Sequence, residues 1–200
     1  RLGAAVRTGV NATRLVQAGG RIVGIETMAG PLAADEVVIA AGAATPVIAA
    51  TAGVEVPLET PPGLIVHSKP HGKLLAGLVM AERLHMRQTM EGRVIAGSDF
   101  GGADPGADPQ GTARALFAAM QAMLKGGETL EFDSFTVGYR PTPADGYPIV
   151  GPAPGHPGLY LAVMHSGMTL APAVGLFAAK EIIDGADEAL LAPYRLARFQ

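Results

Sequence analysis

Apolar and polar positions alternate, or gather in runs of strand length, over most of the chain, and change to helical spacing twice. Residues 4–6, 12–16 and 21–27 predict three short strands, the last set off by the Gly19-Gly20 turn signal, and Gly30-Pro31 turns the chain again. Residues 35–42 (DEVVIAAG) form a continuous β-branched apolar run that ends in glycine, the pattern of a strand buried on both faces of a parallel sheet. Residues 51–62, with three prolines, predict a loop. Residues 63–69, 73–80, 83–90 and 93–98 predict four strands with a hairpin turn at Glu91-Gly92, and 101–108 a polar loop. Asp108-Pro109 is an N-cap followed by a first-turn proline. The helix it opens places Leu116, Met120, Met123 and Leu124 on one face and stops at Gly126-Gly127. Residues 131–139 return to strand, and 141–158 are turn after turn. Residues 159–163 predict a short buried strand. Residues 170–184 predict a helix that accommodates Pro172 in its first turn and ends at Gly185. Residues 186–200 predict a short helix or docked coil.

These elements suggest two interleaved units of mixed class, α/β plus α+β. Residues 1–50 and 141–200 group as one α/β unit, and 51–140 as an antiparallel sheet with one covering helix. Composition narrows the chemistry. With 48% hydrophobic residues the chain can bury a core, and 27 glycines with 16 prolines imply many tight turns. The lack of cysteine excludes disulfides, thiolate metal sites and a flavin tethered through cysteine in these residues, and fits a cytoplasmic setting. A net charge of −3 without a basic run argues against nucleic acid, and no apolar run reaches the ~20 residues of a membrane helix, so no transmembrane segment is expected. The chain starts at Arg1 inside a strand-like pattern, from which upstream sequence is expected.

Candidate chemistry concentrates between residues 138 and 175. A buried strand gives way almost at once to a helix at Met164–Thr169, and ligands of open α/β sheets bind beyond such strand ends. Gly167 permits close backbone approach, and the N–H groups of Gly167, Met168 and Thr169 are expected to lack intrahelical acceptors. With the helix dipole they favour an anion or carbonyl oxygen; an ordinary helix start is the bland alternative. Arg140 ends a predicted strand and its direction is fixed by Pro141. A guanidinium grips a planar carboxylate through two parallel hydrogen bonds, although a lone arginine is more often a surface ion pair. Asp145-Gly146 is a turn signal. His165 is a candidate contact or a hydrogen-bonded structural residue, and Tyr139 and Tyr147 either line a pocket or pack. His67 and His71 lack a third partner for a metal, and Ser68, Ser98 and Ser166 lack a nucleophile elbow.

The run GYRPTPADGYPIVG followed by LYLAVMHSGMTLAPAVG resembles the C-terminal signature of the FAD-dependent amine and amino-acid oxidoreductases. That family includes D-amino-acid dehydrogenases and oxidases, glycine oxidase and sarcosine oxidase. Residues 9–27, 35–45 and 92–98 extend the resemblance to nearly the whole chain. It implies a FAD-binding domain formed by 1–50 and 141–200, and a substrate domain formed by 51–140. Ala12 then stands where the family usually has valine and pairs its backbone with the adenine. Ala41, Gly42 and Ala43 form the glycine turn beside FAD. Asp145, Gly146, His165, Ser166, Gly167, Met168 and Thr169 contact the cofactor, and Arg140 binds the substrate carboxylate facing the flavin. The implied reaction removes hydride from the carbon of a C–N bond in a small amino acid or N-alkyl amino acid. Two departures stand out. The His165-Ser166-Gly167 loop is shorter than in many members. The G-x-G-x-x-G fingerprint is absent, and Gly101-Gly102-x-x-x-Gly106 has the wrong spacing. The expectation is therefore the C-terminal half of a longer enzyme, partnered by a missing N-terminal half or a second chain, with weak or no FAD binding by these residues alone. A non-catalytic truncated remnant is the alternative, and an unrelated α+β binding domain the third reading.

Overall fold

The computed structural model describes residues 3–98 and 104–200; Gly101 and Gly102 of the glycine-rich loop lie outside them. Residues 3–7 are exposed and pair with no strand, unlike the expected strand at 4–6. Strands β1 (Ala12–Ala18), β2 (Arg21–Thr27) and β3 (Gly30–Ala33) form an antiparallel meander. Gly19 and Gly20 make the first turn with positive φ. The second turn falls at Met28-Ala29, so Gly30-Pro31 opens a strand instead of turning the chain. Pro31 is tolerated on this edge strand, where its missing N–H interrupts no ladder. The run at 35–42 yields only β4 (Val37–Ile39), followed by a 3-10 turn at Gly42–Ala44 and α1 (Thr45–Ala50). Strand β5 is Leu58–Glu59.

The chain then forms a second unit, residues 60–140. Its five-stranded antiparallel sheet contains β6 (Pro62–Ser68), β7 (Val79–Met80), β8 (His85–Gln88), β9 (Val94–Gly97) and β10 (Phe132–Tyr139), in the order β10-β6-β9-β8-β7. Residues 73–78 were expected as strand but are irregular. Gln88 explains the path of that segment: its amide accepts from Leu74 N and Leu75 N and donates to the carbonyls of His71, Gly72 and Gly92. Helix α2 (Pro109–Met123) opens as its sequence predicts, with Asp108 Oδ1 accepting from Gly111 N at 2.9 Å. It buries Ala113, Phe117 and Met120 against Leu64, Val66 and Val94. Met123, expected in the core, is instead 46% exposed, because the apolar face is centred one residue away on Phe117.

The first unit, residues 1–59 with 141–200, is completed by β11 (Thr142–Pro143), β12 (Ile149–Pro152), β13 (Leu159–Val163) and α3 (Gly167–Asp184). Strand β11 pairs with β5, and β13 lies between antiparallel β12 and parallel β4. Doubly buried character belongs to β12 and β13: Ile149 and Leu161 face one core, Val150 and Tyr160 another. In β4, Val38 is 46% exposed on one face of an edge strand, while Ile39 is buried in the core and Val37 packs part-buried against it. Helix α3 starts three residues earlier than its sequence suggests, so Pro172 sits in the second turn, not the first. The tail folds as two 3-10 segments, Ala189–Tyr194 and Leu196–Phe199.

Candidate functional site

The carboxyl ends of parallel β4 and β13 open into a cleft of about 550 Å³ within the first unit. Val38, Ala40 and Gly42 border it on one side and Met164, His165 and Gly167 on another. A volume of this size is in the range of small-molecule sites, and the walls are mostly apolar. Helix α3 fronts the cleft with Gly167, Ala171, Gly175 and Ala178, small residues at helical spacing. A Cβ added at Gly167 or Gly175 would meet nothing within 4 Å, so the bare backbone leaves open room on that wall. Gly42 has a φ of +56°, which allows the chain to turn from β4 into the 3-10 segment.

The rim carries the polar groups. Among the described residues, Gly167 N and Met168 N have no backbone acceptor, and Ser166 gives no side-chain cap. Thr169 N differs from the expectation, because it donates to Ser166 O at 3.1 Å in a tightened first turn. Two amides, not three, are thus available. His165 is exposed at the cleft with Ser166 Oγ 3.0 Å from its Nδ1. Met168 is 95% exposed.

Of the sequence candidates, Gly42, His165, Gly167 and Met168 line this cleft, with Ala41, Ala43, Ser166 and Thr169 as chain neighbours. Ala12 begins β1 in the separate meander, half-buried opposite Thr27. Asp145 and Gly146 form a turn whose carboxylate is taken by Arg198: Nε donates to Oδ2 at 2.7 Å and Nη2 to Oδ1 at 2.9 Å. The Arg198 guanidinium holds the Asp145 carboxyl down at about 2. Arg140 is half-buried at the end of β10 in the second unit, where its N–H continues the ladder to Pro61 O at 3.1 Å. Position parity puts Arg140 on the face of Thr136 and Gly138. Tyr139 and Tyr147 are both largely exposed, and the Tyr147 ring lies 6.4 Å from Tyr194. His67 and His71 bond Thr136 and Thr129.

Pro141, Ala162 and Gly175 were missed as cleft residues. The recurrence of small residues at 167, 171, 175 and 178 was the legible signal; Pro141 had none. Also missed was a charged network beneath the junction. Glu181, buried on α3, receives both Arg195 guanidinium arms, Tyr160 OH at 2.7 Å and Glu188 N at 2.9 Å. Burial pushes the Glu181 carboxyl upward, but these donors outweigh it and leave it below the usual carboxylate range. Burial, then the hydrogen bond to Glu181, pushes the Tyr160 phenol up.

Residues 1–181 match the family described as FAD dependent oxidoreductase. Glycine oxidase from Pseudomonas putida is 35% identical over 167 residues, covering 80% of this chain and 45% of that protein. D-amino acid dehydrogenase from Cereibacter sphaeroides is 30% identical over 188 residues, covering 92% and 43%. The crystal structure of glycine oxidase from Geobacillus kaustophilus superimposes with a TM-score of 0.77 at 25% identity, over 94% of this chain and 52% of that one. The chain thus spans about half the length of these relatives. Its sequence match over 181 residues and its fold together place it in one group: the chain belongs to the family of FAD-dependent oxidoreductases.

Proposed function

We propose that the protein is an oxidoreductase that uses FAD to oxidise the C–N bond of a small amino acid or N-alkyl amino acid. The observation that carries this reading is the apolar cleft with two acceptor-less amides at its rim. The small residues of α3 would leave room for a flat ring, and the Gly167 and Met168 N–H groups at the positive end of α3 would favour its electron-rich edge. FAD, when bound, would supply a hydride acceptor for oxidation of the carbon beside the substrate nitrogen. The chain's own residues do the rest. The mostly apolar cleft walls disfavour water, and the helix start would favour the charge that builds up on reduction. Arg140 grips the substrate carboxylate through parallel N–H···O bonds and so fixes which carbon reacts. No side-chain acid or base is required. His165, Ser166 and Thr169, with Ala41–Ala43, complete the cofactor surroundings, and Ala12 pairs with the adenine through its backbone. Asp145 and Gly146 act as scaffold beside the ring.

The pyrophosphate and ribose need further contacts, from an upstream half or a second chain. The lack of G-x-G-x-x-G in these 200 residues favours a second reading, a remnant that binds no FAD by itself. Titration with FAD separates the two. Saturable binding, to these residues alone or with the complementing half, supports the enzyme; no binding in either setting leaves the remnant. In the FAD-loaded protein, Arg140→Ala is expected to lower kcat/KM for carboxylate substrates by the equivalent of about 2–5 kcal/mol. The readout is a substrate panel with an artificial dye acceptor. Unchanged kinetics with every amino acid would remove Arg140 from the site.

A further inference from the structure

Helix α3 packs Leu170, Val174, Phe177 and Ile182 part-buried against its core. Of its 18 residues only Ala178 and Glu181 are buried, and its first turn has no side-chain cap. Yet the start of this helix forms one wall of the cleft. Glu181 is one of the helix's two buried residues, and its partners lie on β13 and in the C-terminal tail. Arg195 reaches from the tail to both Glu181 oxygens, to Asp187 Oδ1 at 3.0 Å and to Val150 O at 3.2 Å. The sheet makes room for it: a Cβ at Gly151 would stand 2.4 Å from Arg195 Nη1. Three residues on, Arg198 binds the Asp145 carboxylate and also donates to Tyr147 O at 2.9 Å and Arg195 O at 3.1 Å. Leu191 and Leu196, each 4% exposed, root the tail in two different cores. The whole of this tail lies beyond the family match, which ends at residue 181.

We infer that residues 188–199 form a strap that positions the cofactor cleft. Arg195 fixes the direction of α3, and Arg198 fixes the Asp145–Tyr147 turn. Both are positioning residues; neither lines the cleft. A buried ion pair is often no more stabilising than a well-packed apolar pair, and specifying one arrangement is its better-attested use. Glu181 lies 14 residues from Gly167, about 21 Å along the helix, so a small tilt at the anchor becomes a displacement at the rim. In its consequence for cofactor binding this inference rests on the function proposed above; as a statement about the cleft it does not.

The test is amide hydrogen exchange on the full 200-residue chain without ligand, comparing wild type with Arg195→Lys and Arg198→Gln. Arg195→Lys keeps the charge but loses the forked grip. It is expected to speed exchange at Thr169, Leu170 and Ala171 by about fivefold or more, while the far-ultraviolet spectrum is retained. Arg198→Gln should do the same at Gly146 and Tyr147. If Arg195→Lys fails to fold, Tyr160→Phe, which removes a single hydrogen bond to Glu181, takes its place with the same expected pattern. Changes confined to residues 181–198, with the junction amides unmoved, would overturn the inference. A parallel FAD titration of wild type and Gly167→Val reports on the cofactor reading by itself. Absent binding in wild type, both alone and with the complementing half, condemns that reading, whereas the exchange data still decide the strap.

Discussion

Gly151 stands where the Arg195 guanidinium crosses the sheet, and its φ of +141° is unfavourable for any side chain. Arg195 cannot step aside, since it is held by four acceptors. Gly151→Ala is therefore expected to destabilise the protein by about 1–3 kcal/mol, read from the denaturant midpoint. Asp145 gives a pH prediction. Its carboxyl titrates lower folded than unfolded, so its contribution is complete above the unfolded value near 3.8 and disappears as pH falls toward about 2. Asp145→Asn should flatten that part of the acid-unfolding curve and leave stability at pH 6–8 free of any new pH dependence. The sequence singled out Asp145 as part of a turn, and the turn is there. Its partner, 53 residues away at Arg198, was not legible, because nothing in a linear pattern pairs two exposed charges that distant.

At the scale of elements, local rules worked where capping and turn chemistry decide and erred where neighbours decide. Asp108-Pro109 opens α2 as predicted, and Gly185, with a φ of +65°, ends α3. The apolar face of α2 was placed too far along, on Met123. Phe117→Ala is expected to cost about 3–5 kcal/mol, since Phe117 is 5% exposed and packs edge-on to Phe132 with ring centres 5.3 Å apart. Met123→Lys should stay within about 0.5 kcal/mol. Thermal unfolding of the pair separates the two assignments; similar losses would restore Met123 to the core. The loop at 73–78 reads as strand by composition, but Gln88 accepts from Leu74 N and Leu75 N while donating to His71, Gly72 and Gly92, and so holds it in an irregular path. A side chain that binds several backbone groups at once leaves no periodic trace in the sequence.

At the scale of the whole molecule, the second unit is one continuous stretch, residues 60–140, with its own core around Val66, Met86 and Met120. Its ends meet, since Arg140 N donates to Pro61 O, and β5 pairs with β11 just outside it. The fragment 60–140 is expected to fold alone with a cooperative denaturant transition followed by circular dichroism. A broad, featureless transition would show that its core is insufficient by itself. Among the described residues no helix is long and apolar enough to cross a membrane.

The amino-acid order by itself determined the strand at 159–163, the abrupt change to helix after Met164, the N-cap of α2, the glycine that ends α3 and the family to which the chain belongs, because each rests on residues close together in the chain. Only the tertiary structure decided that β4 is an edge, that Thr169 N is already bonded, and that two tail arginines hold the cleft framework. Edges, satisfied amides and long-range ion pairs depend on which segments come to lie side by side, and short-range patterning does not encode that.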